Sequence, residues 1–331
     1  MENIEKIQKI GSWVSYRPDI KVVDCTIRDG GLTNNFNFSE DFLKAVYKCC
    51  LDSGVDYMEV GYKASKKIFS TSDFGPMKFS TEEDIRKIVG ENDTNLKLSV
   101  MADSERTDYH NDILPKDQSV LDLIRVATYI HQIPTALDIV KDAKDKGYET
   151  SINLMSISTV PTDELDEALN LLGNSEADVI YLVDSFGSLY SEQTRSLASK
   201  YLSIANQGNK KIGIHAHNNQ QLAYSNTIEA LILGVSFLDA TISGFGRGAG
   251  NCPMELLLGF LKNPKYHQRP VVKCIQENLI PLKESGVNWG YDMAYMLTGQ
   301  LNIHPKAAIA FIESEKNKNY IDFFDKIDNG Y

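Results

Sequence analysis

Two histidines one residue apart, His215 and His217, give the clearest chemical signal in the chain. They close an apolar run, KIGIHAH (211–217), that reads as a strand. Residues two apart on a strand share a face, so both imidazoles point one way while Ile214 and Ala216 point the other. Two imidazoles a few ångströms apart commonly share a metal ion. A carboxylate from another segment would complete the set, and DCTIRDGG (24–31) offers two, Asp24 and Asp29, with Arg28 between them. Charges at the end of a buried strand are costly unless they pair or ligate. Spacing alone chooses neither acid as the ligand, and it leaves Arg28 open as an ion-pair partner of either.

Other strand ends carry further groups that apolar packing does not explain. Glu59 alternates with Met58 and Val60, so it faces the opposite side from them. Ser185 follows the run DVIYLVD (178–184), and GFGRGAGN (244–251) forms a glycine-rich, backbone-exposing loop that ends in Asn251. The remaining histidines, 110, 131, 267 and 304, stand alone and read as ordinary surface or core residues.

These residues need a frame that gathers strand ends. Apolar runs at 20–27, 56–62, 96–102, 121–128, 149–155, 178–184, 211–217 and 236–242 alternate with segments able to form helices. Ser39 with Glu40 and Asp41 marks a helix start, and Gly54 and Gly147 mark helix ends. The segment around TEEDIRKIVG is short, and the interval after the third run is the hardest to read as a helix. Repeated strand–helix units imply a parallel sheet, and eight of them fit a closed (β/α)8 TIM barrel, an α/β fold whose chemistry lies at the C-terminal ends of the strands. No GxGxxG follows the first strand, which disfavours an open dinucleotide-binding sheet. The expected organisation is a lead-in over 1–19, a TIM-barrel catalytic domain over 20–263, and a small helical C-terminal extension over 264–331 packed on the barrel.

Composition narrows the class. The 331 residues are 42% hydrophobic and carry a formal net charge of −11. That balance argues against nucleic acid as a partner. No window reaches the length of an apolar membrane span, and the N-terminus lacks a signal-peptide core, so a cytoplasmic protein is expected. Five cysteines without CxxC spacing read as reduced, buried thiols.

DCTIRDGG, HAHNN and GFGRGAGN, taken together, resemble the metal-dependent barrel lyases and synthases, a group that includes 4-hydroxy-2-oxovalerate aldolase, HMG-CoA lyase and isopropylmalate synthase. The match runs over roughly 20–300 in order and spacing, and IYLVDSFG and WGYDMAY bring the aldolase branch nearest. The resemblance implies a carbon–carbon lyase that cleaves or forms a 4-hydroxy-2-oxo acid from pyruvate and an aldehyde, with Mn2+ or Mg2+ stabilising the enolate. It assigns Asp29, His215, His217 and Asn251 to the metal, and Asp24 to orienting the loop around it. Arg28 would face the enolate oxygen, Ser185 would grip the substrate carboxylate, and Tyr295 would lie in the active site.

The chain departs from that pattern at Gly31–Asn35, where the aldolases carry a histidine that acts as general base. Glu59, Tyr295 or a metal-bound water are the substitutes the sequence offers. The resemblance leaves room for a Claisen-type acyl-CoA lyase or synthase, and for a non-catalytic metal-binding barrel working with a partner. An aldehyde dehydrogenase partner and a homo-oligomer are its further expectations.

Overall fold

A computed structural model describes residues 17–314 and 319–329; most of the lead-in and the last two residues lie outside it. Eight strands close into one parallel barrel: β1 (Lys21–Asp24), β2 (Tyr57–Tyr62), β3 (Lys97–Asp103), β4 (Leu123–Thr128), β5 (Glu149–Leu154), β6 (Val179–Asp184), β7 (Lys211–Ala216) and β8 (Phe237–Ala240). β8 pairs with β1, so the sheet has no free edge. The (β/α)8 TIM barrel read from the alternation is the fold observed, and each of the eight apolar runs holds one of its strands, β3 alone running one residue past its run, to Asp103.

The helices between strands follow their local signals. After the single turn α1 (Thr26–Gly30) comes α2 (Glu40–Ser53), where the Ser39 hydroxyl accepts from the Phe42 amide and Gly54 closes the helix in the left-handed region. A cap of this kind stabilises a helix by about 1 kcal/mol. Thr81 caps α3 (Glu82–Val89) in the same way. The outer layer continues with α4 (Ile133–Asp145), α5 (Thr162–Gly173), α6 (Ser191–Gly208), α7 (Ala223–Leu233) and α8 (Met254–Leu261). Between β3 and β4 there is no barrel-length helix, only one turn at Tyr109–Asp112 and a 3-10 turn at Lys116–Gln118. The segment is polar, lacks an apolar stripe and contains Pro115, so it has no face to bury as a helix.

The main apolar core lies between the barrel and its helices, where Val22, Leu98, Ile124, Ile152 and Leu182 meet residues such as Val46, Ile85 and Ile139. A second, smaller cluster inside the barrel includes Val23, Tyr57, Leu123, Val179, Tyr181 and Phe237. Above this plug the lumen turns polar. Paired residues in neighbouring strands share a face, and Arg125 pairs with Met101 while Ala127 pairs with Asp103. Because Arg125 reaches Glu59 and Asp239 across the lumen, Asp103 also faces inward, at the upper end of β3.

Beyond α8, a helix α9 (Gln268–Cys274) runs through a π turn into Ile280–Glu284 and packs against α2. Then α10 (Met293–Gln300), α11 (Lys306–Glu313) and α12 (Tyr320–Asp328) gather around their own cluster of Ala294, Leu297, Ala308, Phe323 and Ile327. This group lies over the C-terminal mouth of the barrel. Asn219 donates to the Tyr295 carbonyl at 3.2 Å, and Asn302 donates to the Ser158 carbonyl at 2.9 Å. The Gly290 amide donates to the Gly248 carbonyl at 3.0 Å, and Trp289 donates to the Ser243 carbonyl at 3.0 Å. Among the described residues, no helix is long and apolar enough to cross a membrane, and all five cysteines are free and buried.

Candidate metal centre and active site

The α1 turn, entirely buried, swings Arg28 and Asp29 back over the lumen directly after β1. There Asp29 Oδ2 lies 3.4 Å from His215 Nε2 and 3.8 Å from His217 Nε2. The two rings stand 5.0 Å apart and nearly perpendicular. Both Nδ1 atoms are engaged from behind. His215 Nδ1 donates to Asp239 Oδ2 at 2.9 Å, and His217 Nδ1 donates to the Asp184 carbonyl at 3.0 Å. In the neutral rings the lone pair therefore sits on Nε2, and both Nε2 atoms are buried without a hydrogen-bond partner.

Two imidazole lone pairs and a carboxylate oxygen facing one another in a dry site repel. A divalent cation between them reverses that sign. Asp29, His215 and His217 together offer three ligand atoms within 4.8 Å of one another, so the donor set fits such an ion. Asn251 belongs to the same place. Its backbone bridges that of His217, and both side-chain polar atoms are buried and unpartnered. Gly246 is what lets the loop come this close: a Cβ there would stand 2.1 Å from Asn251 Nδ2 and 2.8 Å from Asp29 Oδ1. The next amide, of Arg247, donates to Asp29 Oδ1 at 3.0 Å.

The electrostatics agree with this arrangement. Burial works against the Asp29 charge, but Arg28 and the two imidazoles hold its carboxyl well below the usual range. Burial drives His217 down to about 3, so it is neutral. His215 feels the same burial, and Asp239 and Asp29 overcome it and raise its pKa. A proton or a metal ion satisfies that demand equally.

Beneath this centre lies a layer of paired charges. Arg125, fully buried, donates to Glu59 at 2.9 Å and to Asp239 at 2.5 Å. Glu59 also accepts from Arg28 Nε at 2.7 Å, and Arg28 Nη1 donates to Asp29. Glu59 thus faces the lumen, as its alternation required, and its carboxylate is clamped between two guanidinium groups. Arg28 pairs with Asp29, one of the two acids its position left open. Its Nη2 has no acceptor among the described residues and is the nitrogen left to face a ligand. Cys25, His215 and Asp239 form a second group of metal-capable atoms. Each is already engaged: Asp239 by Arg125 and His215, and Cys25 as a thiol whose pKa burial pushes well above the usual value.

The other anticipated residues are placed as follows. Asp24 points away from the centre, toward Cys50 of α2, and accepts from the Thr26 hydroxyl and amide. Thr26 in turn accepts from the Ile242 amide at 2.9 Å, so Asp24 braces the turn after β1 against the segment after β8. Burial raises the Asp24 pKa to about 7. Ser185 is buried at the end of β6, where its oxygen accepts from the Ser156 amide at 2.8 Å. Tyr295 lays its ring on Gly248 of the glycine loop, and burial raises its phenol pKa.

Sequence reasoning passed over five groups. Arg125 and Asp239 stood inside apolar runs, and a charge at an inward position of a buried strand was the available signal. Asp103 ends β3 with no hydrogen-bond or ion-pair partner for its carboxylate among the described residues; burial raises its pKa, and Lys78, Arg106, Arg28 and Arg247 all act on it. Arg247 was noted only as part of the glycine loop. His304, read as an ordinary lone histidine, sits against Phe186 with ring centroids 5.3 Å apart, and burial lowers its pKa to about 4, with Arg247 adding to the effect.

Comparison with known proteins places this geometry in a family. A family model described as HMGL-like matches residues 19–276. Oxaloacetate decarboxylase of Mycobacterium tuberculosis is 29% identical over 249 residues, covering 73% of this chain and 69% of that protein. 4-Hydroxy-2-oxovalerate aldolase of Pelotomaculum thermopropionicum is 28% identical over 249 residues, covering 75% and 72%. Among solved structures, the N-terminal domain of a putative aldolase from Bacteroides vulgatus superposes with a TM-score of 0.74 at 28% identity, over 92% of this chain and all of that one.

Proposed function

The chain belongs to the HMGL-like family and is a carbon–carbon lyase, and on that premise we propose that it is a divalent-metal-dependent aldolase. It cleaves or forms a 4-hydroxy-2-oxo acid, with pyruvate and an aldehyde as the other side of the reaction. The observation that carries this reading is the convergence of the buried Asp29 carboxylate with the unmet, buried ligand atoms of His215, His217 and Asn251 at the mouth of the barrel. When bound there, Mn2+ or Mg2+ supplies Lewis-acid charge to the oxygens of a 2-oxo acid.

The chain's own residues do the rest. Arg28, fixed by Glu59 and Asp29, aims Nη2 at the oxygen on which negative charge grows as the carbon–carbon bond breaks. A preorganised donor of this kind stabilises a transition state by about 3 kcal/mol. The Ser185 oxygen is occupied as an acceptor, which leaves its hydroxyl proton free for the substrate carboxylate. Glu59, held by two guanidinium groups, positions Arg28 and is a poor proton carrier. Asp103 suits that task better: its carboxylate is unpartnered, faces the lumen, and has its pKa raised by burial. In the cleavage direction it takes the proton of the 4-hydroxyl as the C3–C4 bond breaks. It then returns a proton to C3 of the enolate as pyruvate forms. Tyr295 and the helices around it cover the mouth and exclude water.

One observation favours a second reading. Gly31–Asn35 holds no titratable side chain, and loss of carbon dioxide from a 3-carboxy-2-oxo acid needs no hydroxyl to be deprotonated. Decarboxylation of oxaloacetate to pyruvate would use the same ligands and the same Arg28. Assaying pyruvate release from 4-hydroxy-2-oxopentanoate and from oxaloacetate, each with Mn2+ and with EDTA, separates the two. Chelator-sensitive pyruvate from the hydroxy acid supports the aldolase. Pyruvate from oxaloacetate alone replaces it with the decarboxylase.

A further inference from the structure

The glycine loop carries one group that neither the metal centre nor the layer beneath it uses. Arg247 is half-buried, and its Nε is buried without a hydrogen-bond partner. Every other buried or half-buried arginine among the described residues has a carboxylate within 4.0 Å: Arg17 has Asp19, Arg28 has Asp29 and Glu59, Arg86 has Glu82 and Glu91, and Arg125 has Glu59 and Asp239. No such partner stands beside Arg247.

Its placement is fixed by its backbone. The Arg247 amide holds the metal-site carboxylate Asp29, and its carbonyl accepts from the Gly250 amide. Its charge acts on His217, Asp103, Tyr295 and His304, all at the mouth of the barrel. Those four come from three sides of the opening: the ends of β7 and β3, and the helices that cover them. The nearby carboxylates do not neutralise it: Asp29 is held by the Arg247 amide and by Arg28, and Asp103 lies beyond ion-pair distance of the guanidinium. An unpaired guanidinium in a partly dry cavity is costly in the empty site and gains a great deal from a planar anion that fills its fork.

We propose that Arg247 binds a second carboxylate on the substrate, so that the preferred substrate is a 2-oxo acid whose far end is also anionic. This rests on the pyruvate-lyase reading for the near end, where Ser185 and the metal ligands take the 2-oxo acid. Arg247 then reads the far end and determines which aldehyde-derived half is accepted. One uncompensated positive charge matches one carboxylate, and the fork geometry of Arg247 is suited to a bidentate contact that lysine cannot reproduce.

Binding tests the proposal without requiring turnover. The full-length chain, loaded with Mn2+, is titrated by calorimetry with 2-oxoglutarate and with 2-oxopentanoate, which has the same carbon count and a neutral end. The wild type is expected to bind the diacid ~10-fold or more tightly than the monoacid, the scale of a charge-assisted contact. In Arg247→Ala the ratio of the two affinities falls to about one, and in Arg247→Lys it is intermediate. Circular dichroism checks that each variant is folded; should the alanine variant fail to fold, the lysine variant and the wild-type ratio still decide. Equal affinities in the wild type, binding of neither probe, or a ratio unchanged in the variants would overturn the proposal. A preference for the diacid with no pyruvate release from any substrate would keep the anion site and discard the aldolase reading. Pyruvate release without a preference would do the reverse.

Discussion

The floor and the mouth of the barrel handle charge in opposite ways. On the floor, Arg28, Glu59, Arg125 and Asp239 form a chain in which each charge touches one of opposite sign. At the mouth, a few ångströms higher, the Nε2 atoms of His215 and His217, both polar atoms of Asn251 and the Arg247 Nε are buried and unmet. Charge balance separates the two layers: the floor's charges offset one another, whereas the mouth gathers ligand atoms around Asp29. The floor balances its two guanidinium groups against two carboxylates within the protein, with Glu59 Oε1, Arg125 Nε and Asp239 Oδ1 left without a hydrogen-bond partner, and it holds Arg28 in register. The mouth is complete only with something added. His215 joins them, with Nδ1 committed to the floor through Asp239 and Nε2 open above.

Breaking the mouth should cost activity and leave the fold intact. His217→Ala is expected to lower pyruvate release by ~1000-fold or more, while denaturant unfolding without metal shifts by no more than about 1 kcal/mol. Breaking the floor should do the opposite first. Arg125→Met leaves Glu59 and Asp239 buried without their shared cation, and a loss of about 3–5 kcal/mol in unfolding free energy is expected. If Arg125→Met unfolds like the wild type while His217→Ala does not fold, the two layers have been assigned the wrong way round.

Smaller effects sharpen the boundary. Asp103→Asn should reduce kcat by about 100-fold with Mn2+ affinity unchanged, because proton transfer is lost and the ligands are not. Asp239→Asn touches both layers, and Mn2+ affinity measured by titration should weaken about 10- to 100-fold as His215 loses its orienting carboxylate.

A further effect is on pH. Burial raises the Asp24 pKa to about 7 in the folded chain, against an ordinary value of 3.8. Between those values the folded state holds a proton that the unfolded state has released. Asp24 therefore favours folding below the ordinary value, and that contribution declines as pH rises toward about 7. Unfolding curves at acid and neutral pH should show this slope in the wild type and a shallower one in Asp24→Asn.

The barrel was legible because its signal is local. Each strand is a short apolar run, and Ser39, Gly54 and Thr81 mark helix ends within a few residues of their effect. The interval after β3, counted among the segments able to form helices, holds only a short turn and a 3-10 turn, because it has no apolar stripe to bury. The three candidate ligands stood out through the HxH spacing and the acids after β1, although choosing Asp29 over Asp24 needed the family resemblance, and the structure brings Asp29 to the histidines while turning Asp24 to α2. Arg125 and Asp239 were hidden for another reason. Their partners lie 66 and 114 residues from Arg125, and such a pairing exists only once the barrel closes. His304 likewise reads as a lone residue until the C-terminal helices lay it over the mouth.

The central claim is that Asp29, His215 and His217 hold a divalent cation. Calorimetric titration of the metal-stripped full-length chain with Mn2+, beside His217→Ala, tests it most directly. The account predicts stoichiometric, saturable binding in the wild type that disappears in the variant while its circular dichroism is unchanged. Undiminished Mn2+ binding in His217→Ala, or none in the wild type, would contradict it.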